Sequence, residues 1–321
     1  MPFLSKSVAY DPASPTSTSS PTRVDSAVQN DRTREYILGF DRQVGSHMAF
    51  GVSYIWRKYD RFLWNDRDDW TSANYRPVNF TATTCPAGAR CEPITYFEPT
   101  SQLPSTNLYT NIPDRYRDFN GFEITFAKRM ANRWSMNASY AFNDAVEVFD
   151  SPASYEDPTC VASGVAGVGT AVCPGSQIYA PESAGSGIGN VFQNSKWLVK
   201  VNGRVQLPYD FTLAANMLGR QGFPFPQSIL TPDRANGGGQ AQVSLDPLGD
   251  VRYDPLMTVD LRLDRTFRFG SVTLIPALDV FNLTNTGTVQ AINRQQAAAN
   301  ANTISGILAP RVARIGISAR W

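Results

Sequence analysis

The sequence predicts an all-β chain. It reads as an antiparallel meander of about nine strands that forms part of a transmembrane β-barrel, open and incomplete, with long extracellular loops and short periplasmic turns. Three observations lead there. Apolar and polar residues alternate through paired segments, connections alternate between very short and very long, and no run of about eighteen apolar residues exists to make a spanning helix. Composition agrees: 42% hydrophobic and 18% charged residues argue against disorder, while 12% aromatics with 23 Gly and 22 Pro suit a turn-rich β protein. A net charge of +1 gives no electrostatic footprint for nucleic acid.

Taken in order, "RTREYILGFDRQ" (32–43) aligns Tyr36, Leu38 and Phe40 on one face. After "VGS", "HMAFGVSYIW" (47–56) aligns Met48, Phe50, Val52, Tyr54 and Trp56 against Ala49, Gly51 and Ser53. "NGFEITFAK" (120–128) sets Phe122, Ile124 and Phe126 against Glu123 and Thr125, and "WSMNASYAFN" (134–143) answers it across "RMANR". "KWLVKVNGRVQL" (196–207) and "FTLAANMLGR" (211–220) flank "PYD". "LMTVDLRLDRTF" (256–267) precedes "SVTLIPALDVFNL" (271–283), a less regular strand because Ile275 and Phe281 share a face with Thr273 and Asp279. The final strand, "RVARIGISARW", puts Ala313, Ile315, Ile317, Ala319 and Trp321 on one side.

Between pairs run the long connections 57–115, 144–195, 221–255 and 284–310, lengths uncommon in compact domains without a role. A soluble β-sandwich also alternates, but its polar face meets bulk water. Here that face is rich in Gly, Ala, Ser and Asn mixed with charges of both signs, which suits a crowded lumen. Trp56, Trp134, Trp197, Phe211 and Trp321 lie near strand ends, where headgroup-level aromatic girdles sit.

The four cysteines, Cys85, Cys91, Cys160 and Cys173, fall as two pairs within two loops, so disulfides 85–91 and 160–173 are expected, in an oxidising compartment. Zinc is the rival reading, but the spacings do not fit and the single histidine, His47, is remote in sequence. His47 sits at a turn and makes a poor catalytic base, while Asp260, Asp264 and Asp279 alternate with Arg262 and read as ion pairs. "NGGGQ" (236–240) lacks the strand–helix setting of a phosphate loop. No cofactor and no enzymatic activity are expected. The loop aromatics Phe62, Trp64, Trp70, Tyr75, Tyr96 and Phe97 have two readings. Trp64, Trp70, Tyr75 and Tyr96 in particular line a ligand vestibule, or else the group packs against itself above the membrane.

The last third carries a resemblance. "TVDLRLDRTFRFGSVTLIPALDVFNLTN" followed by "ILAPRVARIGISARW" resembles the carboxy-terminal end of TonB-dependent outer-membrane receptors. It is most similar to the Oar-like group, whose amino-terminal part holds a carboxypeptidase-regulatory-like domain. Asp260, Leu261, Arg262, Asp279, Val280, Phe281, Asn282, Leu283, Asn285, Pro310 and Arg311 match that pattern. The resemblance is specific over 256–321; upstream it rests on the strand–loop rhythm and "SYIWRKYD".

The resemblance implies a Gram-negative outer-membrane location and energy-coupled uptake of a bulky ligand of unknown identity. It implies a larger barrel closed by an amino-terminal plug, through which the TonB complex is contacted. It also implies that Ala313, Ile315, Ile317, Ala319 and Trp321 form the signal read by the outer-membrane insertion machinery. The partners expected are outer-membrane lipid and that machinery, with no nucleic acid. Residues 1–30 read as a poorly ordered extracellular-type loop and 31–321 as the carboxy-terminal segment of the receptor barrel. An odd strand count and no visible signal peptide or plug make a truncated receptor the expectation. The alternatives are a stand-alone porin or adhesin-like barrel, and a soluble β-rich binding domain.

Overall fold

The structure, a computed structural model, describes residues 22–67, 69–111, 115–149, 157–159, 177–179, 195–225, 227–246 and 250–321. One 11-stranded sheet dominates it. Two members, Gln177–Tyr179 and Phe267–Phe269, are three-residue appendages. The rest are long: β1 (Arg32–Val44), β2 (Met48–Asp60), β3 (Arg115–Ala131), β4 (Trp134–Phe149) and β5 (Trp197–Gln206). They continue as β6 (Phe211–Arg220), β7 (Leu256–Arg265), β8 (Val272–Phe281) and β9 (Val312–Arg320). Each pairs antiparallel with its sequence neighbour, so the sheet is a meander of nine long strands. Among the described residues β1 pairs only with β2 and β9 only with β8, so the barrel is not closed.

The short connections are tight because their residues accept left-handed backbone. Gly45 (φ 63) turns β1 into β2, and Asn132 (φ 54) with Arg133 (φ 68) turns β3 into β4. Two consecutive positive φ values are what a two-residue hairpin of matching twist requires. Pro276 sits inside β8 and has no N–H to give. The β7–β8 ladder lapses there, between Asp264↔Ala277 and Phe267↔Leu274, and the Thr266 N–H donates instead to the Asp210 carbonyl at 3.1 Å.

Register brings the apolar positions into one belt. Phe40, Val52, Ile124, Tyr140 and Val199 lie side by side across five strands. Val201, Met217 and Val259 continue it, and Leu261, Val280 and Ala313 carry it to β9. At its margins Tyr36 stacks on Trp56 at 5.5 Å, and the Lys128 ammonium sits 3.8 Å from the Trp134 ring centre. That ammonium also donates to the carbonyls of Ala131 and Trp134, so a cation on the apolar side is fully answered by its own turn.

The buried apolar core lies in the long loops, not behind the sheet. Ile94, Tyr96, Ile229 and Val243 form it, with Val78, Phe80 and Leu245 against them. The small hairpins Tyr75–Phe80/Ile94–Pro99 and Ser228–Leu230/Gln242–Ser244 supply these residues, with Leu245 directly after the second. Arg234 ties three connections together: it donates to Asp157 at 2.6 Å, to the Phe97 carbonyl at 3.0 Å and to the Gly238 carbonyl at 2.6 Å. Gly222 lets this layer meet the sheet, since a Cβ there would stand 1.7 Å from the Tyr253 carbonyl oxygen.

The amino-terminal segment is tied to the first long loop. Residues 1–21 lie outside the described residues, but 22–30 are held in place. Thr22–Val24 pairs in parallel with Asn107–Tyr109, and Gln29 and Asn111 exchange two hydrogen bonds of 2.7 and 2.8 Å. The Asp25 carboxylate accepts from Thr110 Oγ1 at 2.7 Å and from the Ala27 N–H at 2.8 Å. The bonds between the two segments were invisible in sequence because their partners lie 82 to 85 residues apart.

Two outcomes are expected. Val201→Arg, in the belt, should cost about 2–4 kcal/mol of stability in bilayers, whereas Asn202→Arg one residue on should cost under about 1 kcal/mol; urea titration of liposome-folded protein compares them. The Thr110 and Ala27 hydrogen bonds hold the Asp25 carboxyl below the ordinary aspartate range. A depressed carboxyl contributes its attachment in full above the unfolded-state pKa and loses it as pH falls through the folded-state value. Amide protection at 22–29, relative to the intrinsic exchange rate at each pH, should therefore fall on acidification below the usual aspartate range, and Asp25→Asn should flatten that response.

Candidate functional site

The face opposite the belt is the candidate site. Asn137, Asn202, Asn216 and Asp260 stand side by side on β4, β5, β6 and β7, forming a row of amides that ends on a carboxylate. Their spacing is that of neighbouring strands, about 4.8 Å. Asn137 donates to Asn202 at 3.3 Å, and Asp260 accepts the Asn282 backbone N–H at 2.8 Å. The row floors a groove of about 330 Å³, walled also by Arg204, Arg262 and Asp279.

The charges here compensate one another. Asp279 is buried and accepts from Arg262 at 3.1 Å and Arg314 at 2.9 Å, while Arg262 also meets Asp264 at 3.1 Å. Glu35 and Arg57 pair on β1 and β2. Such a surface offers hydrogen bonds to a polar partner and keeps its net field small. The alternation of Asp260, Arg262 and Asp264 along β7 places all three inward, as their spacing predicts. Small side chains recur on the inner face of other strands, at Ser53, Ala127, Ser139 and Ala214, and the Asp41 carboxylate and Thr125 hydroxyl fill the space beside Gly51. His47 lies in the β1–β2 turn, exposed, its carbonyl accepting the Arg129 N–H.

Of the two readings of the loop aromatics, packing of the group against itself describes three residues. Trp70, Tyr75 and Tyr96 are 7%, 8% and 4% exposed, so they present no open ring face to a ligand. Trp70 meets Tyr75 edge-on at 6.0 Å, and Tyr96 meets Phe80 at 6.3 Å. They pack because the loops bring enough apolar area together to exclude water. For Trp64 the strand position alone is described, opposite Thr110 in the pair Leu63–Arg67/Asn107–Asn111. Burial raises the pKa of the Tyr75 and Tyr96 phenols. Cys85 and Cys91 form a disulfide; Cys160 and Cys173 lie outside the described residues.

In β9, Ala313, Ile315, Ile317 and Ala319 face the belt side, opposite Val280, Leu278, Pro276 and Leu274. Ile315 is 86% and Trp321 93% exposed. Residues that sequence reasoning missed are Arg90 and Arg234, whose partners are scattered over other loops and leave no local pattern.

The model of the outer membrane beta barrel domain family matches residues 1–167. The chain belongs to that family, and it is an outer-membrane protein. The match covers the half of the chain where the TonB-receptor resemblance rested on the strand–loop rhythm and "SYIWRKYD". No curated protein matches the sequence.

Solved structures similar to the chain include the outer membrane transporter YddB from Escherichia coli. It is 11% identical at a TM-score of 0.46, over 93% of this chain and 34% of that one. The FrpB iron transporter from Neisseria meningitidis is 12% identical at a TM-score of 0.46, over 93% and 32%. The ferric-catecholate import receptor Fiu from Escherichia coli is 11% identical at a TM-score of 0.47, over 91% and 28%. The chain thus spans about a third of the length of these structures.

Asp279→Asn should destabilise the sheet, because Arg262 and Arg314 lose the anion between them. Adding Arg314→Gln should return part of that loss, and a double-mutant cycle by urea unfolding in liposomes measures it.

Proposed function

We propose that this chain is the carboxy-terminal part of the barrel of a TonB-dependent outer-membrane receptor of the Oar-like group, which takes up a bulky ligand by energy-coupled transport. The observation that supports the reading is the pair of edges that find no further partner strand among the described residues. β1 and β9 are exposed along their whole length and, in a nine-strand meander, run in the same direction. Pairing them directly would be parallel. Antiparallel closure needs an odd number of further strands between them, and an edge left open in lipid costs several kcal/mol per unsatisfied group.

The motif over 256–321 supports the subgroup, and the small, charge-compensated inner face supports a wall against which a plug packs. On this reading residues 31–321 are receptor barrel and residues 1–30 lead into it from the long-loop, extracellular side. Residues Ala313, Ile315, Ile317, Ala319 and Trp321 are read by the insertion machinery. TonB is met only through the plug-bearing part. The role is transport, with no enzymatic step. The alternative is a stand-alone porin or adhesin-like barrel, which would conduct ions by itself.

Planar-bilayer recording separates the two. The chain alone should give no stable unitary conductance, and liposome uptake of ligand should require the barrel completed by its plug-bearing part. Steady conductance steps from the chain alone would overturn the receptor reading. Trp321→Ser should slow assembly by the insertion machinery several-fold while leaving detergent folding unchanged.

A further inference from the structure

The Cys85–Cys91 disulfide closes a small ring in the first long loop, and that ring is bonded to two other loops. The Gly88 carbonyl, inside the ring, accepts from Asn302 Nδ2 at 3.1 Å. The Arg90 backbone N–H donates to Gln296 Oε1 at 3.1 Å, and Gln296 is fully buried. Gln296 Nε2 donates in turn to Asn302 Oδ1 at 2.8 Å. The Arg90 guanidinium reaches the other way, to both oxygens of Asp246 at 2.6 and 2.8 Å and to Gln227 at 3.1 Å. One short ring therefore presents a carbonyl, an amide and a guanidinium to partners from the loops after β6 and β8. None of these contacts lies in the sheet, and none depends on the transport reading.

We propose that this ring is a thiol-sensitive latch: the intact disulfide locks the loop carrying residues 289–307 to the rest of the loop layer, and a dithiol reductant releases it. Cys85 is exposed and Cys91 half-buried, so the Cys85 sulfur is the one within reach. A thiolate of the dithiol attacks Cys85 Sγ and expels Cys91 as thiolate. The second thiol then resolves the mixed disulfide. Two electrons and two protons pass to the cysteine pair, and the reductant leaves as its own disulfide. Once open, the segment 85–91 regains the conformations the ring denied it, and Gly88 and Arg90 are no longer held at the spacing that Asn302, Gln296 and Asp246 require. The protection of 289–307 is itself well defined. The Gln296 N–H donates to the Ser228 carbonyl at 2.8 Å, and the Asn302 N–H to the Asn293 carbonyl at 3.0 Å.

The test is hydrogen–deuterium exchange on the full chain folded in detergent. A Cys160→Ser/Cys173→Ser background leaves only the Cys85–Cys91 pair to report. Adding dithiothreitol to the folded protein should raise exchange across 289–307 by about 10- to 50-fold, the range expected for opening so short a ring. The β7–β8 hairpin should be unchanged, and reoxidation should restore protection. Arg90→Met, with the disulfide intact, should loosen the loop around Asp246 and Gln227 and leave 289–307 protected, because the Arg90 backbone N–H to Gln296 remains. Faster exchange confined to residues 82–93, no change at all, or a rise that includes β7 and β8 would each overturn the latch.

Discussion

Inside hydrocarbon no water is available to the backbone, so each N–H and C=O must find a partner within the protein. Everything else in this structure follows from that constraint. A meander meets it strand by strand, because each new hairpin satisfies the open side of the last. Pro276 shows the rule at its limit. Lacking a donor, it sits where the ladder lapses for a few residues, and the neighbouring Thr266 N–H finds a turn carbonyl instead. By the same rule β1 and β9 are the two edges of the sheet left open among the described residues.

A single sheet here separates two environments. The belt from Phe40 to Ala313 offers acyl chains a continuous apolar surface, so no second protein layer is needed behind it. The inner side carries the charges, which are answered locally by Asp279 between Arg262 and Arg314. Beyond the sheet the rules revert to those of a water-soluble domain. There the Ile94, Tyr96, Ile229 and Val243 core, the Arg234 hub and the Cys85–Cys91 ring stabilise loops that face water on their outside. The molecule is a membrane wall with a small soluble domain built from its connections.

Much of the wall was legible from alternation. Tyr36 to Phe40, Phe122 to Phe126 and Ala313 to Ala319 fall on the face their spacing predicts. The strand ends were not. β3 begins at Arg115 and β4 runs to Phe149, well beyond the alternating segments 120–128 and 134–143. The reason is physical: Asp118, Asn120 and Asp144 continue the belt side of these strands where it no longer meets lipid. Once both faces meet water, period-two hydropathy disappears although the ladder goes on. Trp70, Tyr75 and Tyr96 were ambiguous for a related cause, since an aromatic in a loop reads alike whether it awaits a ligand or another loop.

By itself the sequence determined the class of fold, the number of long strands, the side of each strand that faces lipid, and the inward row of Asp260, Arg262 and Asp264. Those properties are local: a side chain's face is set by its parity along the strand, and parity can be counted. Tertiary structure alone decided which residues in the loops meet. Arg90 lies 156 residues from Asp246, Arg234 lies 77 from Asp157, and Asn302 lies 214 from Gly88. Contacts over such separations depend on loop closure and on buried polar groups finding partners in three dimensions, and no periodicity along the chain encodes them.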